Sequence, residues 1–485
     1  MSAQIADFAT VPAMLSNEAP LVVDVDALVV TDLLHEAALQ FVARQPLQAY
    51  RMLVWLAVGK SNLKTCLADR INPGIQTVPL RHEVLALIRA AQTAGRPVYL
   101  ASASDSRYVE ELAQRIGGIA GIFGTGGGVN LSGDTKAERL IAAFGARGYD
   151  YVGDTTIDFA VWRSARRPLI VAHSASVAKR VLSAFPSAEI VSQPRPALSS
   201  YIDALRVHQW AKNVLIFLPM IAGHRFDLNT IYATILAFLC FCVAASSAYV
   251  INDLLDLPGD RDHPRKNRRP FAAGKLPITH GLVLAALLMA TAFGLSLLLP
   301  VRFTGILSIY IACTLSYSLL LKRKVLIDVI MLAGLYTLRV FGGLAAIHTH
   351  QTQWLLMFCL FLFFSLAIVK RCSELVANRV AGKTGTLGRD YRVDDLSVLL
   401  PLAAAAGYGA VFVVALYLSS PEMAALYTHP NRLWLACPLL MYWISRVLIY
   451  ANRGDLNDDP VTFALTDGTS WITAACMACV IAVSI

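Results

Sequence analysis

No spacing of cysteines in this chain marks a disulfide framework or a zinc site. The nine Cys are scattered, most of them inside apolar runs. The one C-x-x-C, Cys476 and Cys479, lies in the last apolar stretch without partner ligands, so small core residues are the expected role. The first 20 residues lack a basic region followed by an apolar core. No cleavable signal peptide is therefore expected, and the first part of the chain is expected to stay in the cytoplasm. Lys and Arg are nearly missing from alternate loops of the second half, which sets a membrane topology. The formal charge of +9 gathers largely in the other loops, where it meets anionic headgroups or phosphates. No nucleic-acid partner is expected.

What is present divides into two unlike halves. The 485 residues are 56% hydrophobic and the mean hydropathy is +0.55, but these are averages. Residues 1 to about 200 read as soluble, and the remainder as a series of apolar stretches.

In the first half, Pro20-Leu-Val-Val-Asp-Val-Asp is a β-branched run ending in two acids, a buried parallel strand by pattern. Asp24 and Asp26 then stand at its carboxyl end, where ligands bind in open α/β sheets. A second strand, Pro97-Val-Tyr-Leu-Ala, ends at Ser102, and a third, Tyr149-Asp-Tyr-Val-Gly, ends at Asp154 with Asp158 four residues on. Lys136 follows a Gly-rich turn, and further strands are expected at Pro168 to Ala172 and Ala188 to Ser192. Alternating strands and helices predict a doubly wound α/β domain over residues 1–191. Residues 33 to 94 read as helix-rich, with a short apolar segment from Tyr50 to Gly59 that serves either as a cap or as an amphipathic membrane-docking surface. Residues 192–200 have linker composition.

The second half, residues 201–485, holds nine apolar stretches near spanning length, at about 211–226, 229–252, 279–300, 303–321, 325–347, 353–373, 397–418, 432–451 and 468–485. Its chemistry centres on NDLLDLPGDRDHPRKNRRPFAAGK, Asn252 to Lys275. Asp253, Asp256 and Asp260 are spaced by three and four residues, which puts them on one helical face, with Pro258-Gly259 able to end the helix before Asp260. Such carboxylates repel unless a divalent cation neutralises them, and Mg²⁺ held by carboxylates and substrate phosphates suits a diphosphate substrate. On the same side lie Lys212 and Asn213 before the first stretch, and Lys322, Arg323 and Asp328 after the fourth. Arg339 falls well inside the fifth stretch, where a charge needs a partner or a wet cavity. Tyr249, Tyr317, His348 and His350 read as core or rim.

The order of motifs in the first half resembles the haloacid dehalogenase-like phosphohydrolases. That resemblance implies Asp24 as nucleophile, Asp26 as general acid/base, and Ser102 and Lys136 on the phosphoryl oxygens. It also implies Mg²⁺ held by Asp24, Asp26 and Asp154, with Asp158 in support. Ala27-Leu28 departs from the Gly-Thr pair usual after the second acid, leaving open a domain kept for binding or structure. The second half resembles the UbiA superfamily of intramembrane prenyltransferases, on NDLLDLPGDRDHP, the following RP-x-A-x-G and the nine-span layout. A second D-x-x-x-D is readable at Asp390 and Asp394.

HPRKNRRP, LKRKVLIDV, HQWAKN and YWISR with RGDLNDDP are similar to the branch that joins polyprenyl phosphate to phosphoribosyl pyrophosphate. The resemblance implies Asp253, Asp256 and Asp260 as catalytic Mg²⁺ ligands, assisted by Asn252. Lys212, Lys266, Arg269, Lys322, Asp328 and Arg339 are the candidates for substrate binding. The alternative reading is transfer from a prenyl diphosphate lipid to an aromatic acceptor. Both make the chain an integral plasma-membrane enzyme in contact with membrane lipids.

Overall fold

The computed structural model describes residues 19–125, 130–172, 174–193, 196–347, 353–384, 390–420, 427–456 and 460–484. His348, His350 and Arg389 lie outside the described residues, as do most of the first 20 and part of the RGDLNDDP segment. The chain forms two compact units. One comprises the residues up to Ala204 together with Asp253–Leu282, and the other Leu205–Asn252 together with Val283–Ile485. This division differs from the expected boundary at 192–200: the acidic segment of the membrane half groups with the α/β half. Part of the expected linker is also helical, from Leu198 to Leu205.

The first unit is built on six parallel strands, β1 (Leu21–Asp24), β2 (Val98–Asp105), β3 (Gly121–Thr125), β4 (Asp150–Gly153), β5 (Pro168–Val171) and β6 (Glu189–Ser192). Their order is β3-β2-β1-β4-β5-β6. The chain winds outward in one direction through β2 and β3, then returns to lay β4 on the other side of β1. The β1–β4 crevice is thus the topological switch point, where open α/β sheets bind ligands. β1 is fully buried because helices cover both faces, so Leu21, Val22 and Val23 need no polar alternation. β2 runs to Asp105 rather than stopping at Ser102. Helices Leu33–Arg44, Arg51–Val58, Lys60–Ala68 and His82–Thr93 fill the span between β1 and β2.

The second unit is helical. Six helices described in the chain are long and apolar enough to cross a membrane: Leu228–Leu255, Ile278–Ser296, Ile327–Ala346, Gln353–Val380, Val393–Leu418 and Pro430–Arg453. Three further expected stretches are not among these six. Residues 211–226 become a 3-10 segment Val207–Phe217 followed by a short helix Leu218–Ala222. The other two are the helices Val301–Leu319 and Gly468–Ser484, of 19 and 17 residues. Cys476 and Cys479 are exposed on the last helix, so they are not core residues as expected.

Close approach within this unit depends on two glycines. A Cβ on Gly343 would lie 2.2 Å from the Ile216 carbonyl oxygen, and one on Gly342 would lie 2.6 Å from the Phe241 ring. Helix Ile327–Ala346 therefore seats against the 3-10 segment, which brings Arg339 within reach of Asn213.

Candidate functional sites

The first site lies at the switch point of the sheet. Asp24 closes β1 and caps the short helix Val25–Leu28, accepting the Asp26 N–H. Asp154 follows β4, the neighbour of β1. Asp24, Asp154 and Asp158 are all buried and offer oxygens within 4.8 Å of one another, a donor set that fits Mg²⁺. Asp158 thus stands in the trio, and Asp26 does not. Lys136 donates to Asp24 Oδ2 at 2.6 Å and lies 3.4 Å from Asp158. The hydroxyl of Tyr151, which sequence reasoning missed, lies 2.9 Å from Asp24 Oδ2 and 3.0 Å from Asp158 Oδ1, positioned to donate to one or the other. No motif announces it, because its role depends on which face of β4 meets β1.

Electrostatics follow from crowding three acids beside one lysine. Burial, then the Asp24 charge, pushes the Asp158 carboxyl up to about 7. Burial and the charges of Asp24, Asp154 and Asp32 hold Asp26 well above the usual carboxylate range, which suits an acid that donates a proton. Burial alone would lower Lys136, but Asp24 and Asp158 outweigh it and keep the ammonium charged. Ser102 is fully buried and one residue beyond Ala101, the β-partner of Asp24, and its Oγ accepts the Ser104 N–H at 2.9 Å. Ala27 and Leu28 are fully buried in the core, and the Ala27 carbonyl accepts from Arg81 Nε at 3.0 Å.

The acidic segment belongs to the same unit. Helix Leu228–Leu255 stops ahead of the expected break at Pro258-Gly259, and Asp256 then opens a second short helix, Leu257–Asp262, that carries Asp260 inside it. Pro258 in the first turn of that helix needs no N–H partner, so it starts a helix rather than ending one. Asp253 and Asp260 are buried, while Asp256 is half-buried. Arg269 Nη1 lies 3.3 Å from Asp253 and 2.6 Å from Asp260, so Arg269 is bound to the carboxylates. Burial raises Asp260 and Arg269 opposes the shift. Lys266 is exposed in the turn Lys266–Arg268.

In the helical unit a cavity of about 180 Å³ is lined by Arg206, Lys212, Arg339 and Lys370, by Tyr249, Tyr310, Tyr317 and Tyr336, and by Asn252. Four cations and, among the described residues, no carboxylate face it. Arg339 is 5% exposed and is held by neutral groups: Nε donates to Asn213 Oδ1 at 2.7 Å, Nη1 to the Leu335 carbonyl at 2.7 Å and Nη2 to Tyr310 at 3.1 Å. Its guanidinium also stacks over Tyr310 and Tyr336. No described carboxylate is ion-paired with it, so its charge is available to an anion. Arg206 adopts a left-handed backbone, φ 51°, that turns its side chain over Tyr249.

Two candidates of the helical unit do not line this cavity. Asp328 is fully buried, bonded to Arg371 Nε at 2.6 Å and to the Tyr391 hydroxyl at 2.6 Å. Its charge is taken by that pair, and it is absent from the residues that line the cavity. Lys322 sits in the turn Leu321–Arg323, also outside the lining. Arg206, Tyr249, Tyr310, Tyr317, Tyr336 and Lys370 are among the lining residues that spacing did not single out as ligands.

Comparison with known proteins assigns the class. The UbiA prenyltransferase family model matches residues 214–478, and the chain belongs to that family. It is therefore a membrane-embedded transferase. The uncharacterized protein y4nM of Sinorhizobium fredii is 33% identical over 463 residues, covering 95% of this chain and 90% of that protein. The likeness thus runs through the α/β half as well. A protein of Mycolicibacterium smegmatis named decaprenyl-phosphate phosphoribosyltransferase is 30% identical over 285 residues, covering 56% of this chain and 88% of that one. A solved UbiA homologue from Archaeoglobus fulgidus, bound to DMAPP and Mg²⁺, is 19% identical with a TM-score of 0.44, covering 59% of this chain and 99% of that chain.

Proposed function

We propose that the chain transfers a 5-phosphoribosyl group from phosphoribosyl pyrophosphate to a polyprenyl phosphate, and that its α/β half then removes the 5-phosphate. The observation that carries the first part is the cavity of the helical unit, with four cations and no described carboxylate. Prenyl transfer to an aromatic ring needs one diphosphate site, whereas phosphoribosyl transfer must hold a diphosphate, a 5-phosphate and a lipid phosphate. Arg binds phosphate through a two-pronged fork and Lys as a point charge, so this lining suits the larger anion load. The relative named decaprenyl-phosphate phosphoribosyltransferase supports the same choice.

Asp253, Asp256 and Asp260 fit a hard cation by donor chemistry, three carboxylates with Asn252 beside them on the chain. When bound there, Mg²⁺ would neutralise charge on the departing diphosphate. The protein's own contribution is to exclude water and to orient the anions: Arg339 is fixed by three hydrogen bonds before any substrate arrives. The lipid phosphate is already anionic, so no strong base is required.

The α/β half supports the haloacid dehalogenase-like reading through its strand order and the Asp24, Asp154, Asp158 and Lys136 cluster. Asp24 is the nucleophile in this account and Asp26 the proton donor. The basic loops support a cytoplasmic side for this half. Purified protein in detergent with Mg²⁺, labelled phosphoribosyl pyrophosphate and decaprenyl phosphate is expected to give a lipid-soluble ribosyl product that Asp256→Asn abolishes. Transfer from a prenyl diphosphate to an aromatic acid, with no ribosyl product, would establish the alternative instead.

A further inference from the structure

The acidic segment is clasped by the α/β half through one buried ion pair. Arg261, in the short helix between Asp256 and Asp262, sends Nη1 to Glu36 Oε2 at 2.8 Å and Nη2 to Glu36 Oε1 at 2.6 Å. The two side chains are 4% and 1% exposed. A parallel fork of this kind fixes orientation as well as distance. Glu36 is itself held by the Thr31 hydroxyl, and Arg261 Nε reaches the Ala272 carbonyl at 3.4 Å. One turn after Glu36, Gln40 donates to the Leu255 carbonyl at 3.1 Å. That bond satisfies an orphan acceptor at the end of the helix that carries Asp253.

Steric contacts complete the clasp. Gly274, φ 70°, lies against Val30 and Pro79, and a Cβ there would come within 2.8 Å of Val30. Gly74 faces Pro258. Glu36, Thr31 and Val30 all belong to the stretch that continues from Asp24 and Asp26. The acidic segment therefore rests on the element that leads out of the first site.

We infer that Glu36 and Arg261 are positioning residues for Asp253, Asp256 and Asp260: the α/β half is part of the scaffold that sets the cation-binding geometry of the transferase. This rests on the transferase reading above. It assigns the fused half a role that is independent of any hydrolysis it performs. Residues that orient metal ligands without touching the metal typically change affinity by about 10–100-fold when altered.

The test is Mn²⁺ binding to the full-length protein in detergent, followed by calorimetry. It is done in an Asp24→Asn/Asp154→Asn background, so that the first site contributes no signal. Glu36→Gln keeps the volume and removes the charge, and is expected to weaken Mn²⁺ binding about tenfold or more. Because that variant leaves Arg261 buried without its partner, Glu36→Met/Arg261→Met serves as a second test. Replacing both partners of a buried pair is often tolerated by the fold. The double variant is expected to melt near the parent temperature and still bind Mn²⁺ weakly. Parent-like Mn²⁺ affinity in either folded variant would overturn the inference. So would transferase activity whose Mg²⁺ requirement is unmoved by Glu36→Gln. A parent that binds Mn²⁺ at this segment yet forms no ribosyl product would sink the phosphoribosyl-transfer reading alone.

Discussion

Arg339 is the residue on which the cavity's chemistry turns. It is a buried cation held by an amide, a carbonyl and a phenol rather than by a carboxylate. A charge kept this way retains a desolvation cost that its neutral partners offset in part and an arriving anion would offset further. Arg339→Leu is therefore expected to lower kcat/KM for ribosyl transfer by about 10²-fold or more. Arg339→Lys should recover only part, because it loses the fork. Steady-state kinetics in detergent check both, and an unchanged Arg339→Leu enzyme would remove the residue from the site.

Asp158 offers a prediction in pH. Its carboxyl is raised to about 7, by burial and then by Asp24. With its native pKa above its unfolded one, the protonated form favours the native state. This contribution is complete below the unfolded value near 3.8 and is lost as pH rises through 7. Mg²⁺ has the opposite preference, since it needs the ionised form. Mg²⁺ binding at Asp24, Asp154 and Asp158 should thus weaken about fivefold from pH 7 to pH 6 as the proton competes. Calorimetry at the two pH values checks it, and Asp158→Asn should flatten the dependence.

Among the elements, those set by local pattern were legible in the sequence and those set by approach were not. β1 and β4 were readable because a strand buried on both faces is a bare β-branched run. The acid that joins Asp24 and Asp154 was not, since Asp26 and Asp158 are equally acidic in sequence and only the turn after β4 brings Asp158 inward. Asp253, Asp256 and Asp260 were visible as a spacing, yet the break after Leu255 was misplaced. Pro258 reads as a terminator but serves as the first turn of the next helix. Asp328 shows the same limit: beside Lys322 and Arg323 it resembles a ligand, whereas Arg371, 43 positions away, takes its charge. Asp328→Asn is expected to lose about 3–5 kcal/mol of stability. Thermal melting in detergent should show that loss, with phosphate-substrate KM little changed in protein that remains folded. A selective rise in KM at unchanged melting temperature would restore Asp328 as a ligand.

At the scale of the whole molecule, the two-part composition was plain from hydropathy, but the boundary was not. The acidic segment lies between apolar stretches in sequence and yet groups with the α/β half, through Arg261, Gln40 and Gly274. Hydropathy cannot show this, because a polar loop reads the same whether it is solvated or clasped by a domain 215 residues earlier in the chain. The relative from Sinorhizobium fredii matches along both halves.

The measurement that reaches the central claim most directly is the phosphate count of the lipid product, read by mass spectrometry. Phosphoribosyl pyrophosphate and decaprenyl phosphate are supplied to the full chain with Mg²⁺. The account predicts a lipid-linked ribose 5-phosphate that forms first and then loses one phosphate, and that accumulates uncleaved in Asp24→Asn. A product that keeps its 5-phosphate in the parent enzyme, or one without ribose at all, would contradict it.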